Sequence, residues 1–330
     1  MIDQYGRKIE YVRISLTDRC NLRCQYCMPE CGIEKISHDD ILSLEEVLHV
    51  VKLLADCGIR KVRLTGGEPL LRRGIVDLIR EIKAIENIEQ IFLTTNGVLL
   101  SNMADDLINA GVNGFNISLD TLNEKTFEKI TRRNLFKKVF ESIQKLIDSG
   151  VEIKLNCVPI AGVNEEDILK IVELARDNFI KVRFIELMPI GCAVDFKGIP
   201  IGEVKSKIES IYGKLISHSA FLIPNYQGPA KYFTLNGFKG QIGFIDAIDH
   251  KFCNSCNRIR LTANGFLKLC LNSNAGLDIK SLLRSNADDQ KIFEAIKQAI
   301  YNKPKEHHFN VECRMQNAKL NFNAMYQIGG

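Results

Sequence analysis

The chain has 330 residues, 45% hydrophobic and 25% charged, the make-up of a globular protein with a sizeable core in one large α/β domain or two smaller ones. Its 44 Lys and Arg against 40 Asp and Glu leave a net charge of +4, too weak to argue for a nucleic-acid partner. The first twenty residues are interrupted by charges from Asp3 to Arg19 and no apolar run reaches about 18 residues, so neither a secretory signal nor a membrane span is expected and the chain reads as cytoplasmic.

Along the first two-thirds, strand-like and helix-like segments alternate. "YVRISLT" (11–17) is β-branched and alternating, a strand signal. In 43–58 apolar residues fall at 44, 47, 48, 51 and 54. Ser43 and Glu46 read as a capping box there and Gly58 as a stop. "KVRLTGG" (61–67) is a strand ending in glycines, 74–85 a helix, "IFLTTNG" (91–97) a strand and 101–111 a helix. "GFNISLD" (114–120) is a strand followed by helical segments to Gly150; then come a strand at 152–160, a helix at 164–178 and a sixth strand at 181–188.

Six βα repeats imply a parallel sheet with helical crossovers. An open, partial (β/α)6 TIM-type barrel and a doubly wound sheet both fit, and both place ligands at the C-terminal ends of strands. The polar punctuation "DRCNLRC", "GGEP", "TTNG", "SLD", "LNCVP" and "LMP" lies at or just past those ends. After about residue 200 the pattern changes. "KYFTLNG" and "QIGFI" are short strand candidates, and a helix is expected near 289–300. A boundary near 215–230 divides a barrel of residues 1–220 from a C-terminal region of residues 221–330.

The chain has 11 cysteines, which in a reducing compartment point to metal or catalytic roles before disulfides. Six fall in two groups: Cys20, Cys24, Cys27 and Cys253, Cys256, Cys270. Cys31, Cys57, Cys157, Cys192 and Cys313 are scattered and read as small buried hydrophobes. The first group has the spacing C-x3-C-x2-C on one loop after the first strand. Thiolates are the usual ligands of 4Fe–4S clusters, and three ligands leave one iron open to bind and reduce a small molecule. A zinc site short of a ligand is the bland reading, and the x3 spacing fits zinc knuckles poorly. The second group, C-x2-C-x13-C, also supplies three thiols, with Arg258 and Arg260 just behind Cys256. No P-loop motif is present.

Cys20, Cys24 and Cys27 with Tyr26 match C-x3-C-x-aromatic-C, and "GGEP" (66–69) follows the second strand one βα unit later. Together they resemble the radical S-adenosylmethionine superfamily. The match extends through "YVRISLTDRCNLRCQYCMP", "VRLTGGEPLLR", "LTTNG", "VRFIELMPIG", "GQIGFI" and "FCNSCNRIRLTANGFLKLCL" to the closing Gly329–Gly330. Over essentially the whole chain it is similar to the GTP 3′,8-cyclase family, which opens molybdenum cofactor biosynthesis.

That resemblance implies two 4Fe–4S clusters, one on each cysteine group, with S-adenosylmethionine on the open iron of the first and the guanine of GTP on the open iron of the second. A 5′-deoxyadenosyl radical takes the 3′ hydrogen of the ribose, and the carbon radical attacks C8. A later enzyme, cyclic pyranopterin monophosphate synthase, rearranges the product. A flavodoxin or ferredoxin is the implied reductant. No nucleic acid or membrane is implied as a partner, and a homodimer is left open.

Residue by residue, the resemblance places GTP against Arg13, Arg63, Thr94, Lys154, Arg183, Arg258 and Arg260. Arginine suits phosphates because its planar fork bonds them bidentately, and Arg13, Arg63, Lys154 and Arg183 read as strand-end cations. S-adenosylmethionine is assigned to the Tyr26 backbone, Gly67, Ser118 and Met188. Asn96 could instead simply form its turn. The terminal Gly329 and Gly330 are implied to reach into the active site with Arg13. Cys31 and Cys313 depart from the family pattern: Cys31 could compete during cluster loading, and ligation by Cys313 would close the second open iron. The competing enzyme reading is a peptide-modifying radical enzyme with an auxiliary cluster. An electron carrier should have four ligands per cluster and leaves "GGEP" unexplained, and a zinc-dependent nucleic-acid binder should hold zinc and no iron.

Overall fold

The computed structural model describes residues 1–33, 36–217, 228–246, 248, 252–285 and 287–307. Cys313, Gly329 and Gly330 lie outside the described residues. The six expected repeats appear in order. β1 (Tyr11–Ser15) leads to α1 (Leu44–Asp56), β2 (Lys61–Thr65) to α2 (Ile75–Lys83) and β3 (Gln90–Thr95) to α3 (Leu100–Asn109). β4 (Gly114–Ser118) is followed by α4 (Glu124–Thr131) and α5 (Phe136–Ser149), β5 (Glu152–Cys157) by α6 (Ile168–Glu173), and β6 (Lys181–Ile185) closes the series. The Ser43–Glu46 capping box forms in both directions at the start of α1. Gly150 takes a left-handed conformation at φ 71° to end α5, where a β-carbon would be strained. Helix α6 is shorter than the pattern over 164–178 suggests, because residues 161–167 form turns.

After β6 the chain adds a helix that the alternation did not reveal, α7 (Ile201–Tyr212), then β7 (Ile216–Ser217), β8 (Lys231–Thr234) and β9 (Gln241–Ile245). After these come β10 (Arg258–Leu261), β11 (Phe266–Lys268), β12 (Gly276–Asp278), α8 (Ile279–Arg284) and α9 (Asp289–Tyr301). No helix among the described residues is long and apolar enough to cross a membrane.

All twelve strands form one open sheet in the order β12-β11-β10-β1-β2-β3-β4-β5-β6-β9-β8-β7. The order of β1 to β6 is sequential, with no reversal. Right-handed crossovers then wind in one direction, which decides for the barrel-type sheet over the doubly wound one, whose strand order reverses at a switch point. β10 pairs in parallel with β1 and β9 in parallel with β6, so the C-terminal region extends both edges of the same sheet.

Buried parallel strands usually read as continuous apolar runs. These alternate. One face carries Val12, Ile14, Val62, Leu64, Ile91 and Leu93 into the core against the helices. The opposite face carries Arg13, Arg63, Thr94, Asn116, Lys154, Arg183 and Arg260 at period 2. A sheet that surrenders half its apolar contacts to cations has a polar ligand to face.

Candidate active site

The first cysteine loop is fixed mostly by backbone. The amides of Cys27 and Met28 both donate to the Cys24 carbonyl at 2.9 Å, and those of Arg23 and Gln25 donate to the last carbonyls of α4, on Thr131 and Ile130. Arg132, past the end of α4, sits at φ 54°, a left-handed position that costs a non-glycine residue about 1 kcal/mol. From there its guanidinium donates to the carbonyls of Arg23 and Met28 at 2.9 and 3.2 Å. The strain thus sits at the clamp that holds the cysteines.

The "GGEP" turn packs against the stem of this loop. Gly67 N donates to the Thr17 carbonyl and Glu68 N to the Arg19 carbonyl, both at 2.7 Å. A β-carbon on Gly67 would lie 2.3 Å from the Arg19 oxygen, so the protein's own backbone requires glycine there. Glu68 is fully buried. It accepts from Leu70 N at 3.1 Å, Thr95 Oγ1 at 2.8 Å and Asn96 N at 2.7 Å. Burial still outweighs these donors and pushes its pKa up to about 7. Asn96 does form its turn, accepting from Val98 N. Its amide also reaches Asn21 Oδ1 at 2.7 Å and the Cys20 sulfur at 3.6 Å, so Glu68 aims Asn96 at the cysteine loop.

Cys24, Tyr26, Asn96, Ser118 and Asp120 line one narrow cleft. The Tyr26 hydroxyl donates to Asp120 Oδ2 at 2.6 Å. Burial raises the Asp120 carboxyl to about 6 and, with Asp120, pushes the Tyr26 phenol well up. Met188 lies past the end of β6, beside a separate cavity lined by Glu186, Leu187, Pro189 and Ile248. The cleft therefore joins Tyr26 and Ser118 but does not reach Met188.

The cations read as strand-end residues are mid-strand instead. Arg13 lies level with Arg63 on one side and Arg260 on the other. Arg63 donates through Nε to the Tyr11 hydroxyl and through a second nitrogen to Thr94 Oγ1 at 3.4 Å. It also stacks 5.0 Å over the Phe92 ring, which Lys154 approaches at 4.9 Å. Arg183 Nε donates to Asn156 Oδ1 at 2.8 Å. Burial and then Arg260 push Arg13 well below the usual guanidinium value, and burial with Arg258 lowers Arg260 to about 10. Lys154 falls to about 7 by burial, although Glu152 pulls it up. Burial would raise Glu152, but Lys154 and Lys181, the latter at 2.6 Å, hold it at about 2. Burial would likewise raise the Tyr11 phenol, and Arg63 and Arg13 bring it down to about 8. Mutual repulsion among buried cations is relieved by a polyanion. Tyr11, Phe92, Asn156 and Lys181 complete this face and were not singled out from sequence; period-2 alternation in parallel strands is the signal that finds them.

The second cysteine group sits at the other end of the same strands. Cys253 opens a single 3-10 turn and Cys256 N closes it onto the Cys253 carbonyl at 3.1 Å. The antiparallel pair β10–β11, with Arg260 opposite Lys268, returns the chain so that Cys270 comes back beside Cys256. The 13-residue spacing is one strand out and one strand back. Because β10 is parallel to β1 and starts just after Cys256, this group lies at the N-terminal end of the strands, whereas Cys20, Cys24 and Cys27 lie at the C-terminal end. The rule for parallel sheets places ligands at the C-terminal ends, and this group departs from it.

Both groups suit a polynuclear centre. Burial pushes Cys24 well up and Cys27 adds to it; Cys253 is raised by burial and then by Cys270 and Cys256. Metal ligation would draw off the protons that burial keeps on Cys24 and Cys253. Among the described residues no three His, Cys, Asp or Glu side chains converge on a single metal ion, while thiolates around a cluster bind different irons and need not meet at one point. Cys57 and Cys157 are buried as expected, but Cys31 is exposed and Cys192 half-buried, so neither of these fills the core.

A family model described as Radical SAM superfamily matches residues 14–175, and one described as Molybdenum Cofactor Synthesis C matches residues 180–309. A curated protein of Clostridium perfringens (strain 13 / Type A) named GTP 3′,8-cyclase is 46% identical over 330 residues, covering all of both chains. One of the same name from Syntrophomonas wolfei is 44% identical over 334 residues, again over all of both. Among solved structures, Streptococcus suis SuiB bound to S-adenosylmethionine superposes with a TM-score of 0.63 at 13% identity, over 89% of this chain and 68% of that one. That likeness is one of fold.

Proposed function

The chain belongs to the GTP 3′,8-cyclase family, and from that premise we propose how its two cysteine groups and its cationic strand face divide the work. It is a radical S-adenosylmethionine enzyme of the lyase class, cyclising GTP to 3′,8-cyclo-7,8-dihydroguanosine triphosphate in the first step of molybdenum cofactor biosynthesis. The observation that carries the division is the register of Arg13 with Arg63 and Arg260. It sets a row of guanidinium groups between two three-thiol sites at opposite ends of neighbouring strands.

Cys20, Cys24 and Cys27 would hold the first 4Fe–4S cluster, at which S-adenosylmethionine would bind. Tyr26 and Ser118, which share one cleft, would seat that cofactor with Gly67; the family resemblance adds Met188, which lies outside that cleft. When bound, the pair would supply the radical chemistry that removes the 3′ hydrogen of the substrate. Cys253, Cys256 and Cys270 would hold a second 4Fe–4S cluster, which would supply a binding point for the guanine. From Arg258, level with Tyr11, to Ser15 the strands rise about 13 Å, room for a nucleotide lying along them. Arg13, Arg63, Lys154, Arg183, Arg258 and Arg260 bind the triphosphate, each charged hydrogen bond worth about 1.5–3 kcal/mol. Thr94, already in reach of Arg63, orients the ribose and phosphates as donor and acceptor. The family resemblance further implies a catalytic role for Gly329 and Gly330, which lie outside the described residues. A flavodoxin or ferredoxin supplies electrons in the cytoplasm, and cyclic pyranopterin monophosphate synthase receives the product.

The test is anaerobic reconstitution of the full chain with iron and sulfide, followed by incubation with GTP, S-adenosylmethionine and reductant. Stoichiometric 5′-deoxyadenosine and the cyclised nucleotide are expected, with near eight irons per chain, on the order of two 4Fe–4S clusters. Four irons with full turnover would remove the second cluster from the reading.

A further inference from the structure

The second cysteine group is braced by residues far from its own motif. Arg7 is buried and ion-paired to Asp3 at 2.7 Å. Its two terminal nitrogens donate to four carbonyls: Cys253 at 3.0 Å, Lys305 at 2.8 Å, Pro304 at 2.7 Å and Lys303 at 3.4 Å. Lys303, just past α9, is 1% exposed, and its ammonium donates to the Leu269 carbonyl, the residue before Cys270. One end of the constellation is thus tied to Arg7 and the other to Lys303. Segment 303–305, which Arg7 grips, ties the two together.

The two cations differ in charge balance. Arg7 has its carboxylate in Asp3. A buried ammonium costs several kcal/mol unless an anion answers it, and burial does push the Lys303 pKa down. The influences that favour its charge are the thiols of Cys256 and Cys270. With thiols alone the burial is unfavourable; with thiolates carrying a cluster it is matched.

We propose that Arg7 and Lys303 form a brace that positions the second cysteine group, and that Lys303 supplies the buried positive charge that sets the reduction potential of its cluster. This rests on the second-cluster reading above. Surrounding charge and hydrogen bonds are levers on cluster potentials, and a nearby cation favours the reduced, more negative form. Lys303 is a positioning residue in this scheme and touches neither GTP nor S-adenosylmethionine.

The test uses the full chain with Cys20, Cys24 and Cys27 changed to Ala, so that the second group alone reports. After anaerobic reconstitution, the midpoint potential is read by electron paramagnetic resonance during redox titration. Lys303→Met should keep the parent's iron content and titrate at a more negative potential, and Lys303→Arg should stay near the parent. An unmoved potential in Lys303→Met overturns the proposal. Loss of iron with an unchanged circular-dichroism melt supports the brace; loss with an early melt of the apo-protein makes Lys303 a plain core residue and overturns it. A parent that holds no iron overturns the second-cluster reading and this proposal together, whereas an iron-loaded parent with an unmoved variant overturns this proposal alone.

Discussion

At the C-terminal end of β1 the first three cysteines share one loop, residues 20–27, wired to its neighbours by backbone amides and by Asn96. At the N-terminal end of β10 the second three come from a turn and a hairpin, and are braced by residues 7 and 303. The electrostatics differ as much as the architecture. Buried acids, Glu68 and Asp120, surround the first loop, and its Cys20 and Cys24 thiols are raised by burial. Around the second, burial would also raise Cys256, but Lys303 and Arg258 bring it down. The potential therefore runs from acidic to basic along the strands. A sulfonium cofactor with an ammonium group suits the acidic end and a triphosphate the basic one. On the proposed reading, that gradient orients two ligands of opposite charge.

The most severe break of this comparison is to remove one end at a time. Cys24→Ala should abolish both 5′-deoxyadenosine release and nucleotide cyclisation. Cys256→Ala should keep the first cluster and its binding of S-adenosylmethionine, yet lose the cyclised product to background. Chromatographic quantitation of both products, with iron analysis, separates the cases. If Cys256→Ala also strips iron from the first site, the two ends are one cooperative unit.

The next effect is on stability and belongs to the acidic end. Asp120 and Glu68 titrate in the folded apo-protein at about 6 and about 7, above their ordinary 3.8 and 4.5. Between those limits the native state holds protons that the unfolded chain has lost, so stability falls as pH rises through the window. Each group contributes up to about 3 kcal/mol. Glu152, held at about 2, works in the opposite sense but only below about pH 4.5. Urea unfolding of the apo-protein should show a lower midpoint at pH 8 than at pH 5, with Asp120→Asn flattening the slope. A midpoint that climbs over this range contradicts it.

The acidic end was also the legible one. Its ligands are consecutive in one loop, and the strand-and-helix alternation that carries them follows from local periodicity. The basic end was legible only as a cysteine spacing. Arg7 and Lys303 lie 296 residues apart and meet through a carbonyl, a contact that no local pattern encodes. Helix α7 escapes the alternation for a different reason: its period follows the last βα repeat and belongs to no further unit. The mid-strand position of Arg13, Arg63, Lys154 and Arg183 was present in the alternation. It was masked by the general rule that parallel-sheet ligands lie beyond strand ends, a rule that fits sheets whose two faces are both covered.

Arg63 tests the middle of the gradient. Arg63→Ala removes a guanidinium that bridges Tyr11, Thr94 and the Phe92 ring. Loss of about 1.5–3 kcal/mol of charged contact corresponds to roughly 10- to 100-fold in kcat/KM for GTP. 5′-Deoxyadenosine formation without GTP should be unchanged. Arg63→Lys should recover little, because a point charge on a flexible stem cannot reproduce the fork. Full recovery by lysine would mean that charge alone matters here.

Lys154 gives the smallest and most discriminating effect. Its pKa of about 7 means that it is half-charged in the free enzyme near neutral pH, held up by Glu152. A bound triphosphate restores the proton, so binding of GTP takes up a proton above pH 7 and weakens as pH rises. One pH unit is at most about 1.4 kcal/mol, or tenfold, and solvent at the partly exposed Glu152 reduces this to a few-fold. KM for GTP should therefore rise a few-fold from pH 7 to 8 while kcat holds. Glu152→Gln removes the charge that keeps Lys154 protonated. It should shift that rise to lower pH, bringing the variant's KM at pH 7 near the parent's at pH 8. If instead the variant binds GTP more tightly at pH 7, Glu152 acts as a competing anion and Lys154 stays charged without it.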